Sequence, residues 1–307
     1  MKPLILITGA YGQLGQSFQE LAVQYDEMSF LFTSRAQLDI TDEHTVTNFF
    51  QKHQLHACIN AAAYTAVDLA EQEADKALQT NVTAVYHLAK AAAQRRIPFI
   101  HFSTDYVYHN ELNRPLRETD PLLPRSVYAR TKLKGEQMAQ QVHPASTIFR
   151  TSWVYSRHGH NFLKTMLRLA QERSQLQVVY DQVGAPTWAQ DLAQAILDIL
   201  RAFFSGQLSG RYLSGIFNYA NEGVSSWYDF AKAIFKLTGS SCQVLPIRSE
   251  QYHTAAPRPH YSLLDKSRFR KTFQLDIPHW HDSLERCLSE MELHRTPTST
   301  NHSNNNS

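Results

Sequence analysis

Tyr128 and Lys132, four residues apart in Tyr128-Ala129-Arg130-Thr131-Lys132, are the side chains best placed by type and spacing to move a proton. On a helix they share one face. A free phenol has a pKa of ~10 and is a poor acid or base at neutral pH. An adjacent ammonium favours phenolate and is expected to lower that value. So tuned, Tyr128 suits the role of general acid to a carbonyl under reduction, while Lys132 can also hold a nicotinamide ribose. Upstream, Ser103-Thr104-Asp105-Tyr106 follows the apolar run Phe99–Phe102. Ligands of open α/β sheets bind beyond the carboxyl ends of strands, so the Thr104 hydroxyl can hold the carbonyl beside the tyrosine. Each motif has a plainer reading: an amphipathic helix for the first, a turn or helix cap for the second. Their order along one chain favours hydride transfer.

A second constellation lies at the start. Leu4–Ile7 runs into Thr8-Gly9-Ala10-Tyr11-Gly12-Gln13-Leu14-Gly15, with glycines every third residue between a strand and a helix. Gly9 permits the tight turn, Gly12 lets backbone approach a pyrophosphate, and Gly15 lets helix and strand pack closely. The helix N-terminus adds free N–H groups and the positive end of its dipole. The next strand ends Phe32-Thr33-Ser34-Arg35, with no acid before Asp39. A carboxylate there would hold the 2′-hydroxyl of NAD; hydroxyls and Arg35 instead suit a 2′-phosphate. The expected cofactor is NADPH, with NADH as the alternative.

To hold these groups together the chain must alternate strands and helices. Strands are expected at Leu4–Ile7, Ser29–Thr33, Ala57–Asn60, Phe99–Phe102 and Thr147–Thr151. Helices are expected at Gln13–Tyr25, Thr45–His53, Glu71–Arg95 and Ser126–Gln141. That rhythm gives an α/β fold, a Rossmann-like doubly wound parallel sheet with helices on both faces. After Thr151 the rhythm changes. Helices are expected at Asn161–Arg173, Trp188–Phe204, Ser226–Leu237 and His279–Leu293, and strands at Leu176–Tyr180 and Ile216–Tyr219. Residues 244–259, with three prolines, read as irregular. The expected division is a cofactor domain of 1–150 plus about 181–220, and a smaller substrate domain of about 151–180 and 221–295. Residues 296–307 are polar throughout and are expected to be a disordered tail.

Composition excludes several classes. Thirty basic against 28 acidic residues, scattered along the chain, leave no nucleic-acid footprint. Three separated cysteines, Cys58, Cys242 and Cys287, argue for reduced thiols in the cytoplasm. The apolar start is too short to span a membrane. The fifteen histidines lack paired ligand spacing, so no metal is expected.

Longer strings extend these motifs: Asn60-Ala61-Ala62-Ala63-Tyr64-Thr65-Ala66-Val67-Asp68, Arg150-Thr151-Ser152-Trp153-Val154-Tyr155, Asp181-Gln182-Val183-Gly184-Ala185-Pro186-Thr187, Ser226-Trp227-Tyr228-Asp229-Phe230, and Arg258-Pro259 with Ser262. Over roughly residues 3–293 the chain resembles the extended short-chain dehydrogenase/reductase family, and within it the dTDP-4-dehydrorhamnose reductases. The resemblance implies NADPH-dependent reduction of the C4 ketone of dTDP-4-dehydro-β-L-rhamnose to dTDP-β-L-rhamnose, closing dTDP-rhamnose biosynthesis and feeding cell-surface polysaccharide such as lipopolysaccharide. It assigns Ala10, Tyr11 and Gly12 to the phosphate loop, and Asp39 and Ile40 to adenine. Ala61, Ala63, Tyr64, Thr65 and Ser103 fall beside the cofactor. Thr104, Asp105 and Trp153 fall to the sugar, with Tyr128 and Lys132 as catalytic residues. Some relatives bind magnesium at a dimer contact; Ser17 and Gln190 stand in the regions that would supply its acids, which argues against the metal and leaves a homodimer open. Val107-Tyr108-His109-Asn110 and Tyr128-Ala129 depart from the family pattern without removing a reacting group. Two other readings stay open: a sugar-nucleotide epimerase or dehydratase, and a non-catalytic NADP-binding subunit like the regulatory subunit of methionine adenosyltransferase. Tyr106 stands where dehydratases carry a glutamate, which argues against dehydration.

Overall fold

Alternation within each central strand sends side chains to two separate cores. Ile5 and Ile7 enter one core and Leu6 the other; Ile59 opposes Cys58, Phe102 opposes Phe99, and Phe149 opposes Ile148. A strand buried on both faces must be covered by helices on both sides, which is the condition for a parallel sheet. The computed structural model describes residues 2–293 and shows this sheet. The first half runs β1 (Leu4–Thr8), α1 (Gln13–Ala22), β2 (Ser29–Thr33), α2 (Glu43–Lys52), β3 (Ala57–Asn60), α3 (Ala74–Leu78), α4 (Ala84–Arg95), β4 (Phe99–Thr104), α5 (Val127–Val142) and β5 (Thr147–Thr151). The chain continues with β6 (Val154–Tyr155), α6 (Phe162–Glu172), β7 (Gln175–Val179), β8 (Val183–Gly184), β9 (Thr187–Trp188), α7 (Ala189–Phe204) and β10 (Gly215–Asn218). It ends with β11 (Ser225–Ser226), α8 (Trp227–Leu237), β12 (Gln243–Ile247), α9 (Ser267–Phe273) and α10 (Trp280–Leu293).

Six strands pair in the order β10-β5-β4-β3-β1-β2, all parallel. Chain direction across the sheet reverses at β1, so the crevice beyond the β1 and β3 carboxyl ends is the switch point where ligands of such sheets bind. Helices α1 and α7 cover one face; α2, α4 and α5 cover the other. A third core gathers α6, α8, α10 and the β7–β12 pair. Helix α9 returns to the sheet, where Phe273 lies 4.7 Å from Phe217 between ring centroids.

Two expectations need correction. The helix expected over Glu71–Arg95 is interrupted: a 3-10 turn at Leu69–Glu71 precedes α3, and a π turn at Gln79–Thr83 separates α3 from α4. The π turn sets Asn81 against Gly135 of α5, where a Cβ on Gly135 would stand 2.1 Å from the Asn81 carbonyl oxygen. The stretch expected to be irregular contains β12, paired in parallel with β7. Pro246 is tolerated because β12 has a partner on one side only. The expected tail, 296–307, lies outside the described residues.

Candidate active site

The turn after β1 is shaped by close backbone approach. Gly9 has φ +71°, and a Cβ there would meet Ala62 N at 2.6 Å. A Cβ on Gly15 would meet Gly9 O at 2.2 Å, so α1 packs directly on the turn. No side chain caps α1 at Gly12, which leaves its first N–H groups available to an anion. Beside the turn opens a groove of about 290 Å³. Its walls include Gly9, Gly12, Arg35, Asp39, Ile40 and, from the β3 end, Ala61 and Ala63. Thr33 and Ser34 line it as well, and Arg35 stands exposed at 3.6 Å from Asp39. Other expected cofactor residues are outside that lining. Tyr11 projects outward, 72% exposed. Gln13 accepts hydrogen bonds from Ser156 (3.2 Å) and Asn161 (2.9 Å). Leu14 packs against the first core, and Ala10 is buried, its N–H donating to Thr33 O at 3.2 Å. Thr65 is exposed, while the Tyr64 hydroxyl donates to Glu73 at 2.7 Å.

The loop after β3 and helix α5, which carries Tyr128 and Lys132, are tied together by Asn81. Its Oδ1 accepts from Tyr64 N (2.9 Å), and its Nδ2 donates to Tyr64 O (3.1 Å) and to Thr131 Oγ1 (3.2 Å). Thr131 sits between Tyr128 and Lys132 on α5, a helix capped by Ser126 accepting from Ala129 N. Across from it β4 runs two residues further than expected and carries Ser103 and Thr104 at its end. Thr104 Oγ1 is within hydrogen-bonding reach of the Tyr128 phenol, donates to Asp105 Oδ1 at 3.0 Å and accepts from Tyr106 N. Tyr106 meets Tyr128 edge to face at 5.9 Å between centroids.

Electrostatics here differ from the sequence expectation. Burial pushes the Tyr128 phenol up to about 12, against the Thr104 hydrogen bond that favours phenolate. Lys132 is buried, and its Nζ donates to Phe102 O at 2.6 Å and lies 3.4 Å from His101 Nε2. Burial brings Lys132 itself down to about 8. Burial also raises Asp105 to about 7, although the hydroxyls of Ser262 and Thr104 favour its charged form. Asp105 Oδ2 and Ser103 Oγ are buried without a hydrogen-bond partner. Such orphaned groups are rare in folded proteins, and these two lie together at the end of β4.

Trp153 lies beside Gly184, which also adjoins Ser262. It has φ +47°, an uncommon value for a bulky residue, and such strain concentrates at functional sites. Its ring stacks on Trp227 at 3.7 Å, and Trp227 Nε1 donates to Gln182 at 3.2 Å. Gly184 leaves room for it: a Cβ there would lie 3.0 Å from the Trp153 ring and 2.8 Å from Ser262 Oγ. Sequence reasoning assigned no role to Asn81, Ser262 or His101. The available signal was polarity out of place, such as a histidine within the apolar strand Phe99–Phe102.

A glycine-rich turn at the sheet's switch point and a Tyr-x-x-x-Lys helix facing Ser-Thr-Asp at a strand end are the marks of the short-chain dehydrogenase/reductase class. Within that class the chain belongs to the family described as the RmlD substrate binding domain, whose model matches residues 1–293. It is 38% identical over 294 residues to the dTDP-4-dehydrorhamnose reductase of Aggregatibacter actinomycetemcomitans, covering 94% of this chain and 99% of that protein. It is 36% identical over 288 residues to the spore coat polysaccharide biosynthesis protein SpsK of Bacillus subtilis (strain 168), covering 93% and 97%. The crystal structure of dTDP-4-dehydrorhamnose reductase from Bacillus anthracis str. Ames in complex with NADP matches with a TM-score of 0.88 and 36% identity, over 94% of this chain and all of that one, 100%. These relatives favour a reductase over the epimerase and binding-subunit readings.

Proposed function

We infer that this chain is an NADPH-dependent reductase of the C4 ketone of dTDP-4-dehydro-β-L-rhamnose, giving dTDP-β-L-rhamnose. The observation that carries the reading is the buried Tyr128 phenol in reach of Thr104 at the end of β4, on the helix that also carries Lys132. The glycine turn and its groove fit a dinucleotide, with the α1 N-terminus for the pyrophosphate and Thr33, Ser34 and Arg35 for a 2′-phosphate. When bound, the reduced nicotinamide supplies the hydride.

The remaining work falls to the chain. Tyr128 holds its proton at neutral pH and gives it to the oxygen at C4 as negative charge develops there. Thr104 orients that oxygen, and its hydroxyl can turn from Asp105 to do so. Lys132, aimed by Phe102 O, anchors the ribose side. Asp105 Oδ2 and Ser103 Oγ offer hydrogen bonds to sugar and cofactor. The Trp153–Trp227 stack closes the sugar side and limits water. We assign the six-stranded sheet with α1–α5, α7 and α9 to the cofactor unit and the third core to the sugar nucleotide. The buried thiols suit a cytoplasmic enzyme.

The test is turnover. Purified protein, NADPH and enzymatically prepared dTDP-4-dehydrorhamnose should give loss of NADPH absorbance and dTDP-rhamnose by NMR. Tight NADPH binding with no conversion of the sugar nucleotide would return the reading to a non-catalytic subunit.

A further inference from the structure

The stacked indoles on the sugar side are held by a polar chain that the reaction as described does not use. Trp153 and Trp227 lie 3.7 Å apart between centroids, with 11° between their planes. Phe162 approaches Trp227 at 4.7 Å. Apolar contact of this kind is non-directional, so it does not by itself fix where one ring lies over the other. Backbone structure brings Trp227 to its place. It is the first residue of α8, directly after the N-cap Ser226, whose side chain and that of Asp229 form a capping box. β11 pairs antiparallel with β8, Ser226 opposite Val183, and the next residues along, Trp227 and Gln182, meet.

The edge of the Trp227 ring is held by a bond of fixed direction. An indole N–H donates and cannot accept, so Gln182 turns its Oε1 to Trp227 Nε1, at 3.2 Å. Gln182 Nε2 then faces Ser249 Oγ at 3.1 Å, and the serine oxygen accepts. The Ser249 hydroxyl gives its own proton to Asp181 Oδ1 at 2.7 Å, and Ser249 N donates to the same oxygen at 2.9 Å. Each donor in the line from Trp227 to Asp181 thus has an acceptor. Reversing the Gln182 amide would set two donors against each other at Trp227. Gln182 is buried, so bulk water does not repair a bond lost there.

We propose that Gln182 is a positioning residue for sugar binding: it fixes Trp227, and Trp227 fixes the plane of Trp153. Trp153 needs such support. Its φ of +47° persists only where surroundings hold it, and here its ring is held by Trp227 and its carbonyl accepts from Thr187 N at 3.2 Å. Trp153 and Ser262 both adjoin Gly184, and the Ser262 hydroxyl also acts on Asp105, so the indole pair and Asp105 border one place. The chemistry suits a pyranose. Its C–H face packs on a flat indole, whose π face is negative, while Thr104 and Asp105 take up its oxygens.

This role rests on the sugar-nucleotide reading above, but its first test needs no turnover. Two indoles in contact give an exciton couplet in far-ultraviolet circular dichroism, identified here by its loss in Trp153→Phe. Gln182→Met keeps the length of the side chain and removes the acceptor. Its couplet should fall by about half or more, KM for dTDP-4-dehydrorhamnose should rise about tenfold, and kcat and NADPH affinity should hold. Trp227→Phe removes the N–H that Gln182 holds. Adding Gln182→Met to it should therefore raise KM no further, whereas additive losses would make Gln182 merely structural and overturn the proposal. An unchanged couplet and KM in Gln182→Met, with an active wild type, would overturn it too. Should the methionine variant fail to fold, Ser249→Ala decides: it takes away the acceptor that orients the amide, so a weaker couplet and a higher KM support the role and wild-type values refute it. Wild-type protein that neither binds nor reduces the sugar nucleotide would instead defeat the functional reading, and the sugar-binding role with it.

Discussion

Asp105→Asn should make the folded protein more stable at neutral pH while impairing its chemistry. The Asp105 carboxyl is buried, one oxygen has no partner, and its pKa is raised from 3.8 to about 7. Between those values the native state keeps a proton that the unfolded chain has lost. Stability therefore falls as pH rises through this window, by roughly 1.4 kcal/mol per unit, and the loss is complete above the folded value. The whole window is worth on the order of 4 kcal/mol, an upper figure because the buried site can relax. Asparagine keeps the shape and can still accept from Thr104, but does not ionise. The assay is urea unfolding of both proteins, followed by tryptophan fluorescence, from about pH 5 to 8. The variant's advantage over wild type should grow by about 2–3 kcal/mol to pH 7 and then level off. Groups common to both proteins cancel in the difference. A difference that is flat across this range would refute the claim that burial makes Asp105 keep its proton well above the ordinary carboxylate range.

Tyr128→Phe removes one hydroxyl and should lower kcat by about 10²–10⁴-fold with the melting temperature little changed, as steady-state rates and thermal unfolding would show. Arg35→Ala should weaken NADPH by about 10- to 100-fold and leave NADH nearly unchanged in fluorescence titrations, as the loss of a guanidinium proposed to hold the 2′-phosphate requires; equal losses for both would remove Arg35 from the cofactor site. Gly184→Ala places a Cβ against Trp153 and Ser262, so KM for the sugar nucleotide should rise while NADPH affinity holds.

What the sequence revealed was local. The glycine turn, the six strands of the sheet and the Tyr128–Lys132 helix follow from short patterns: apolar runs four to six residues long, glycines at fixed intervals, and a capped helix. Where a long-range contact decided the outcome, local pattern misled. Alanine-rich sequence from Glu71 reads as one helix, yet a π turn interrupts it where Asn81 packs on Gly135, 54 residues away. Pro246 argues against a strand until β7 is seen pairing on one side alone. The Tyr128 pKa follows the same rule. Spacing put an ammonium near the phenol, but Lys132 turns to Phe102 O and His101, and burial governs instead. Gln182 and Trp227 were invisible as a pair because their meeting depends on β8 and β11 lying in register, Val183 opposite Ser226.

A hydride directed to C4 of a 4-keto sugar nucleotide can be followed as deuterium. The protein is given dTDP-4-dehydrorhamnose and NADPH deuterated at nicotinamide C4 on the transferred face, and the product is read by NMR. Direct hydride transfer gives dTDP-rhamnose carrying one deuterium at C4 and none elsewhere. Product with hydrogen at C4, deuterium at another carbon, or no product at all would contradict it.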